Sequence, residues 1–257
     1  MNEIASQLDL LWPALAAGVI VLATHVPLGI QVLARGIIFI DLAVAQVAGL
    51  GALAAHLADQ GGNLWVVQGA AVGAALAAAL LLQWSERRWP QLQEALIGLL
   101  FVLAASGTVL LLSRDAHGGE HLRDLLAGQM LWVSHDQLLA AAAASAVLLL
   151  AWRALGRQGS SLAFYALFSV AVTVSVQLVG VYLVFASLIV PALATHGMLR
   201  RRLATGLGLG VAGYTAGLSL AALADLPAGA ASVWMLAAAG LVFVLIRFSV
   251  APPRPIC

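Results

Sequence analysis

The chain has 257 residues, of which 63% are hydrophobic and only 9% charged, far below the roughly 25% charged residues of soluble domains. That composition excludes a soluble enzyme and a nucleic-acid-binding protein, and it requires an all-α, polytopic helical bundle in a membrane. The formal net charge is +1 and all 12 basic residues are Arg. The one cysteine, Cys257, supports neither a disulfide framework nor a cysteine metal cluster.

A helix needs about 20 apolar residues to cross the hydrocarbon, which places a first span at 10–34. The N-terminus, MNEIASQLDLLW, lacks the basic region of a cleaved signal, so this span is expected to be retained. Pro27 and Gly29 inside it predict a kink or break. The second span, 37–58, carries Asp41, Gln46 and His56. The third, 64–84, ends in Ser85-Glu86-Arg87-Arg88, and the fourth, 93–113, starts with Glu94. Residues 114–137 are too polar to cross and predict a short amphipathic external segment. A fifth span at 138–153 is followed by the brief loop ALGRQGSS. Residues 161–196 hold no charge over 36 positions and predict two spans, turning near Gln177 to Gly180, the second ending at Pro191. Spans at 203–224 and 230–247 complete nine, or eight if one run is re-entrant.

Charge placement tests this layout. Arg35, Arg87, Arg88, Arg153, Arg157, Arg200, Arg201, Arg202, Arg247 and Arg254 fall on one side, and only Arg114 and Arg123 on the other. The asymmetry predicts a cytoplasmic C-terminus and an external 114–137 segment. The pairs Ala45 and Gly49, Gly69 and Gly73, and Gly206 and Gly210 have the spacing at which membrane helices approach closely. The whole chain, 1–257, is expected to be one transmembrane domain.

Asp41 stands in the stretch ARGIIFIDLAVAQVAGLG, inside roughly two dozen apolar residues, where a charge costs several kcal/mol. A partner helix, a proton, or a cation in a water-filled path must stabilise it. Gln46 is a pathway neighbour or a helix-joining amide, and His25 and His56 are packing or pathway groups. His117-Gly-Gly-Glu120-His121 matches the H-x-x-E-H metallopeptidase pattern, but its adjacent glycines oppose the helix that pattern needs. A solvated or loosely metal-collecting loop is the plainer reading.

Several segments taken in order resemble the permease subunit of the metal-ion (zinc and manganese) ABC importers. Ile40-Asp41 through Gly51 occupies the place of that family's second-span signature, G-D-x-x-A-H-x-x-x-x-G. EALIGLLFVLAASG at 94–107 is similar to its fourth span, and LRDLLAGQMLWVSHDQL at 122–138 to its external segment. VGVYLVFASLIVPALAT at 179–195 and DLPAGAASV at 225–233 resemble its most specific motifs. The resemblance implies that fold, a homodimer forming the pathway, cytoplasmic ATPases that bind ATP, an external metal-binding protein, an inner-membrane location, and a divalent zinc or manganese ion as cargo. Carried onto this chain, it makes Asp41 the metal-facing acid, with Gln46 and His56 on the substrate pathway and Gly180 and Pro191 as gating positions. It also implies an ATPase docking surface, for which the basic candidates are Arg153 with Arg157, and Arg200 to Arg202.

Two features depart from the family. Its acid and His stand four residues apart, whereas here Asp41 plus four is Ala45, and Gln46 lies about 140° round the helix from Asp41. A gapped register sets Gln46 at the His position, and the His is absent in either register. The docking loop between the fifth and sixth spans is also reduced to ALGRQGSS. A non-transporting membrane scaffold derived from such a permease is therefore the rival reading, with a membrane metalloenzyme at His117 and His121 a third.

Overall fold

The computed structural model describes residues 2–58, 63–113, 130–155 and 160–250. Among them nine α-helices follow one another: α1 Asn2–Arg35, α2 Ile40–Ala58, α3 Leu64–Arg88, α4 Gln93–Leu112, α5 His135–Leu155, α6 Ser161–Val179, α7 Val181–Ala194, α8 Arg202–Ala224 and α9 Ala228–Val250. Short 3-10 turns lie at Pro90–Leu92 and Met130–Trp132. Eight helices are long and apolar enough to cross a membrane. The ninth, α7, has 14 residues and is about 21 Å long at 1.5 Å per residue, short of a bilayer core of about 30 Å. Against the nine or eight spans expected from the sequence, the described residues hold eight helices of spanning length and composition and one shorter apolar helix.

The bundle is assembled on α1, which packs against α5, α6, α7 and α8. Glycines set its closest approaches. A Cβ on Gly18 would strike the Tyr214 ring, one on Gly210 the Leu22 side chain, and one on Gly206 that of Val26. These three pairs run in opposite directions along α1 and α8, so the helices are antiparallel. On the α7 side, a Cβ on Gly29 would collide with the backbone carbonyl of Leu188. Gly213 and Gly217 do the same for α8 against Leu236 and Ser232 of α9. Gly69 and Gly73 behave differently, because among the described residues nothing lies within 4 Å of a Cβ at either position.

Neither Pro27 nor Pro191 ends its helix. α1 runs unbroken through Pro13 and Pro27, and α7 continues past Pro191 to Ala194. Proline removes one helical N–H but need not end a helix whose other bonds and packing persist. Beyond Pro191, its own carbonyl accepts from the Thr195 hydroxyl at 2.6 Å and the Thr195 amide at 3.2 Å. The break falls instead at Gly180, whose φ of 83° is open to glycine at little cost. It alone joins α6 to α7, and the chain reverses there. α5 also starts earlier than hydropathy suggests. Ser134 and Gln137 form a reciprocal capping box, with the Gln137 amide donating to Ser134 Oγ at 3.2 Å and the Ser134 amide to Gln137 Oε1 at 2.9 Å.

The two ends of the bundle differ chemically. Arg35, Glu86 and Ser161 meet at one end, through an Arg35–Glu86 ion pair of 3.5 Å and a hydrogen bond from Ser161 to Glu86. Arg202 and Arg247 sit at that same end, since Arg247 holds the carbonyl of His196 at 2.7 Å and Arg202 that of Ala192 at 3.3 Å. Exposed Trp12, Trp65, Trp132 and Trp234 gather toward the opposite end, and Trp84 and Trp89 toward the basic one. Those are the positions of interfacial aromatic belts. Of the external segment, residues 114–129 lie outside the described residues; Met130 tucks into the core and Trp132 is exposed.

Because the α1–α7 contact leaves no room for a Cβ, Gly29→Leu is expected to lower the melting temperature of the detergent-solubilised protein or to prevent a monodisperse gel-filtration peak. Overpacking of this kind costs about 1–3 kcal/mol or more. Gly73→Leu, on an open helix face, should leave both readouts unchanged.

Candidate functional site

Asp41 is the second residue of α2. The chain reaches it from α1 through Gly36, whose φ is 71°, with the Ile37 amide closing back on the Val32 carbonyl at 3.3 Å. The first turn of a helix is where a carboxylate gains about 0.3–1 kcal/mol from the helix dipole. Yet Asp41 is fully buried, and among the described residues neither of its oxygens has a hydrogen-bond partner. An unsatisfied buried group costs about 1–3 kcal/mol and more if charged, so the dipole does not offset its burial. Glu94 of α4, not Asp41, serves the helix start: its Oε1 accepts from the Phe39 amide at 3.3 Å, leaving Oε2 buried and unpartnered.

Around α2, Asp41 shares its buried face with Val44, Ala45 and Ala48. Leu42 and Gln46 point elsewhere, into an open cavity of about 680 Å³ bounded by α2, α4, α7 and α9. Its wall includes Phe101 of α4, Tyr182 and Phe185 of α7, and Trp234 of α9. No residue lining it carries a charge; Gln46 and Tyr182 are its polar side chains. The acid and the amide thus stand on different sides of one helix, and Asp41 is sealed from the cavity. His56 is exposed in the last turn of α2, ten residues beyond Gln46. The structure therefore brings together neither Asp41 with Gln46 nor Gln46 with His56. Among the described residues, no three His, Cys, Asp or Glu side chains converge as a metal site would require. His117 and His121 lie outside the described residues.

Gly180 and Pro191 bracket α7, which supplies one wall of the cavity and also carries Leu188 against α1. After α7 comes a tight turn, 195–201, with positive φ at Gly197 and Arg201. Leu199 is 100% exposed there, and Arg200 and Arg201 are exposed beside it. The two arginine-to-carbonyl bonds from Arg202 and Arg247 hold the turn from both sides. Of the alternative basic pair, Arg153 is exposed near the end of α5, and Arg157 lies outside the described residues.

Hydropathy gave no sign of a buried network between α3, α4 and α6. Gln93 Nε2 donates to the Leu82 carbonyl at 3.0 Å and to the Tyr165 hydroxyl at 3.1 Å, and Ser85 Oγ lies 2.8 Å from Gln93 Oε1. Beside it the Arg35 guanidinium sits 4.2 Å over the Phe164 ring. A second buried pair, Ser187 with Tyr214 at 2.8 Å, joins α7 to α8. The available signal was composition alone: polar residues at the ends or in the middle of otherwise apolar helices.

The chain matches the ABC 3 transport family over residues 7–158 and 152–248. It belongs to that family. In fold, this ABC 3 transport chain is similar to PsaBC from Streptococcus pneumoniae in complex with Fab, with a TM-score of 0.75 and 20% identity over 97% of this chain and 96% of that one. It is also similar to an inward-facing conformation of a putative metal-chelate type ABC transporter, with a TM-score of 0.66 and 16% identity over 91% and 85% of the two chains. No curated protein matches it. The expectation of a multi-pass helical bundle with the ABC-permease fold agrees with both the architecture and these likenesses.

Since Asp41 is buried without a partner, Asp41→Asn is expected to raise the melting temperature of the detergent-solubilised chain by a few degrees. A clear drop would show that the carboxylate is held by a partner.

Proposed function

We propose that this chain is the membrane-spanning subunit of an importer for transition-metal cargo, with zinc and manganese the first metals to test, working as a homodimer in the inner membrane. Separate cytoplasmic ATPase subunits bind and hydrolyse ATP, and an external metal-binding protein delivers the cargo. Membership of the ABC 3 transport family supports the reading. So does the lack of a phosphate-binding loop of the G-x-x-x-x-G-K type in a chain without lysine. The observation that carries it is the open cavity between α2, α4, α7 and α9, into which Gln46 and Tyr182 project.

In this proposal Gln46 faces the cargo in the conformation described above, and Asp41 waits on the closed side of α2 as the pathway acid of an alternate conformation. α7 is the moving wall, joined to α6 through Gly180 alone and lacking one helical bond at Pro191. The turn at 195–201 is the ATPase docking element. It offers what a cytoplasmic partner can grip, a fully exposed leucine followed by two arginines, and its anchors lead directly into α7 and α9. Arg153 would then be a peripheral contact.

Two measurements test this. In a Cys257→Ser background, Gln46→Cys should react with a water-soluble thiol reagent at rest, and Asp41→Cys only while the assembled complex hydrolyses ATP; equal labelling of Asp41→Cys with and without ATP removes it from the cycle. Leu199→Asp together with Arg200→Glu should abolish recovery of the ATPase subunit and metal uptake by reconstituted vesicles. If the wild-type chain itself recovers no ATPase, the non-transporting scaffold is the better description.

A further inference from the structure

We propose that the groove between α3 and α4 at the basic end of the bundle holds an anionic phospholipid, with one acyl chain between the helices and its phosphate on Arg87 and Arg88. Lipid binding here is independent of the importer reading, because it uses a different face of the chain. α3 and α4 each pack on α2, and between them lies a groove of about 150 Å³. Leu81 and Trp84 of α3, Trp89 of the connecting turn, and Leu96, Leu99 and Leu103 of α4 line it. At 100° per residue, Leu99 and Leu103 stand about 160° round α4 from Phe101. The groove and the large cavity therefore open on opposite sides of that helix.

The basic end of the groove is built and charged. Gln93 Nε2 donates to the Leu82 carbonyl at 3.0 Å and Ser85 Oγ donates to Gln93 Oε1 at 2.8 Å, tying the start of α4 to the end of α3. The Trp89 amide returns to the Ser85 carbonyl at 2.7 Å. Trp84 and Trp89 meet edge to face with ring centroids 5.2 Å apart, and the Arg88 guanidinium lies 5.9 Å over the Trp89 ring. Tryptophans and arginines at the end of a membrane helix occupy the level of the lipid headgroups. Glu86, the acid beside these arginines in the chain, is turned to Arg35 and Ser161, so the exposed Arg87 and Arg88 keep their charge for another anion. Below them the wall is apolar. From Leu96 to Leu103 it covers about 10 Å of helix axis, within the roughly 15 Å that one leaflet contributes to a hydrocarbon core of about 30 Å. Two cations above an apolar groove one leaflet deep match an amphiphile with an anionic head. The arginine asymmetry assigns this end to the cytoplasm, where anionic lipids attract juxtamembrane arginines.

The test uses the delipidated full chain in detergent, with dioleoyl phosphatidylglycerol and dioleoyl phosphatidylcholine as probes and native mass spectrometry to count bound lipid. One phosphatidylglycerol per chain is expected to be held at least about tenfold more tightly than phosphatidylcholine. Arg87→Gln with Arg88→Gln should remove that preference, and Leu99→Trp, which fills the groove, should weaken retention of both lipids by about tenfold. All three positions are exposed, so the variants should keep the gel-filtration profile of the wild type. Equal retention of the two lipids by the wild type overturns the proposal, as does a preference for phosphatidylglycerol that survives in the double arginine variant. So does a disulfide formed in vesicles between two copies carrying Leu99→Cys in a Cys257→Ser background, which would show that a second copy covers the groove.

Discussion

Close contact between α1 and its neighbours is the constraint on which the rest of the bundle depends. Inside a bilayer there is no hydrophobic gain from bringing two apolar helices together, because lipid tails are as apolar as the side chains they replace. Association must come from dispersion contacts and interhelical hydrogen bonds, and both require short distances. Gly18, Gly206 and Gly210 provide them between α1 and α8, and Gly29 lets α1 touch the backbone of α7. With α8 fixed, Gly213 and Gly217 place α9. The wall that α7 and α9 give the cavity is therefore set by where α1 allows them to stand.

Polar groups in the interior follow the same economy. Most buried hydroxyls bond back to their own helix, as Ser169 does to Tyr165 and Thr173 to Ser169, both at 2.8 Å. Those that span helices include Gln93 with Ser85 and with Tyr165, Ser187 with Tyr214, and Ser161 with Glu86. These stitch α3 to α4, α4 to α6, α7 to α8 and α3 to α6. The exceptions are the buried acid Asp41, one oxygen of Glu94, Nε2 of His25, Nε of Arg202 and the hydroxyl of Ser232. An interior that satisfies its polar groups so widely makes an unsatisfied acid informative, since packing alone would have replaced it with an apolar residue.

Much of this fold was legible because membrane physics writes in large letters. Arg placement oriented the spans, and a charge-free run of 36 residues could only be two helices with a turn between them. Gly180 was readable as that turn because glycine alone takes its φ freely. The misses are local contests between rules. Pro191 looked like a stop, but α7 continues three residues further on bonds that proline does not interrupt. The Ser134 to Gln137 capping box is present in the letters, but hydropathy registers only the apolar run that follows it and so starts α5 at 138 rather than at His135. Gly69 and Gly73 have the spacing of an interface but face no neighbour among the described residues, since spacing specifies a face and not what lies opposite. The angular separation of Asp41 and Gln46 followed from helix geometry alone. Which of the two would meet open space did not, because that depends on where α4, α7 and α9 stand.

That separation shapes how the site can work. For Asp41 and Gln46 to meet the same cargo at the same moment, α2 would have to unwind or turn by more than a third of a revolution. Its tight seams to α3, where Gly51 meets Ala70 and Ala74, and to α4, where Leu50 covers Gly107, oppose such a turn. α7 is no freer, because Gly29 of α1 lies against the Leu188 backbone and Gly240 of α9 against Val190. The amide and the acid are therefore held on opposite sides of one helix by the packing of every element around it.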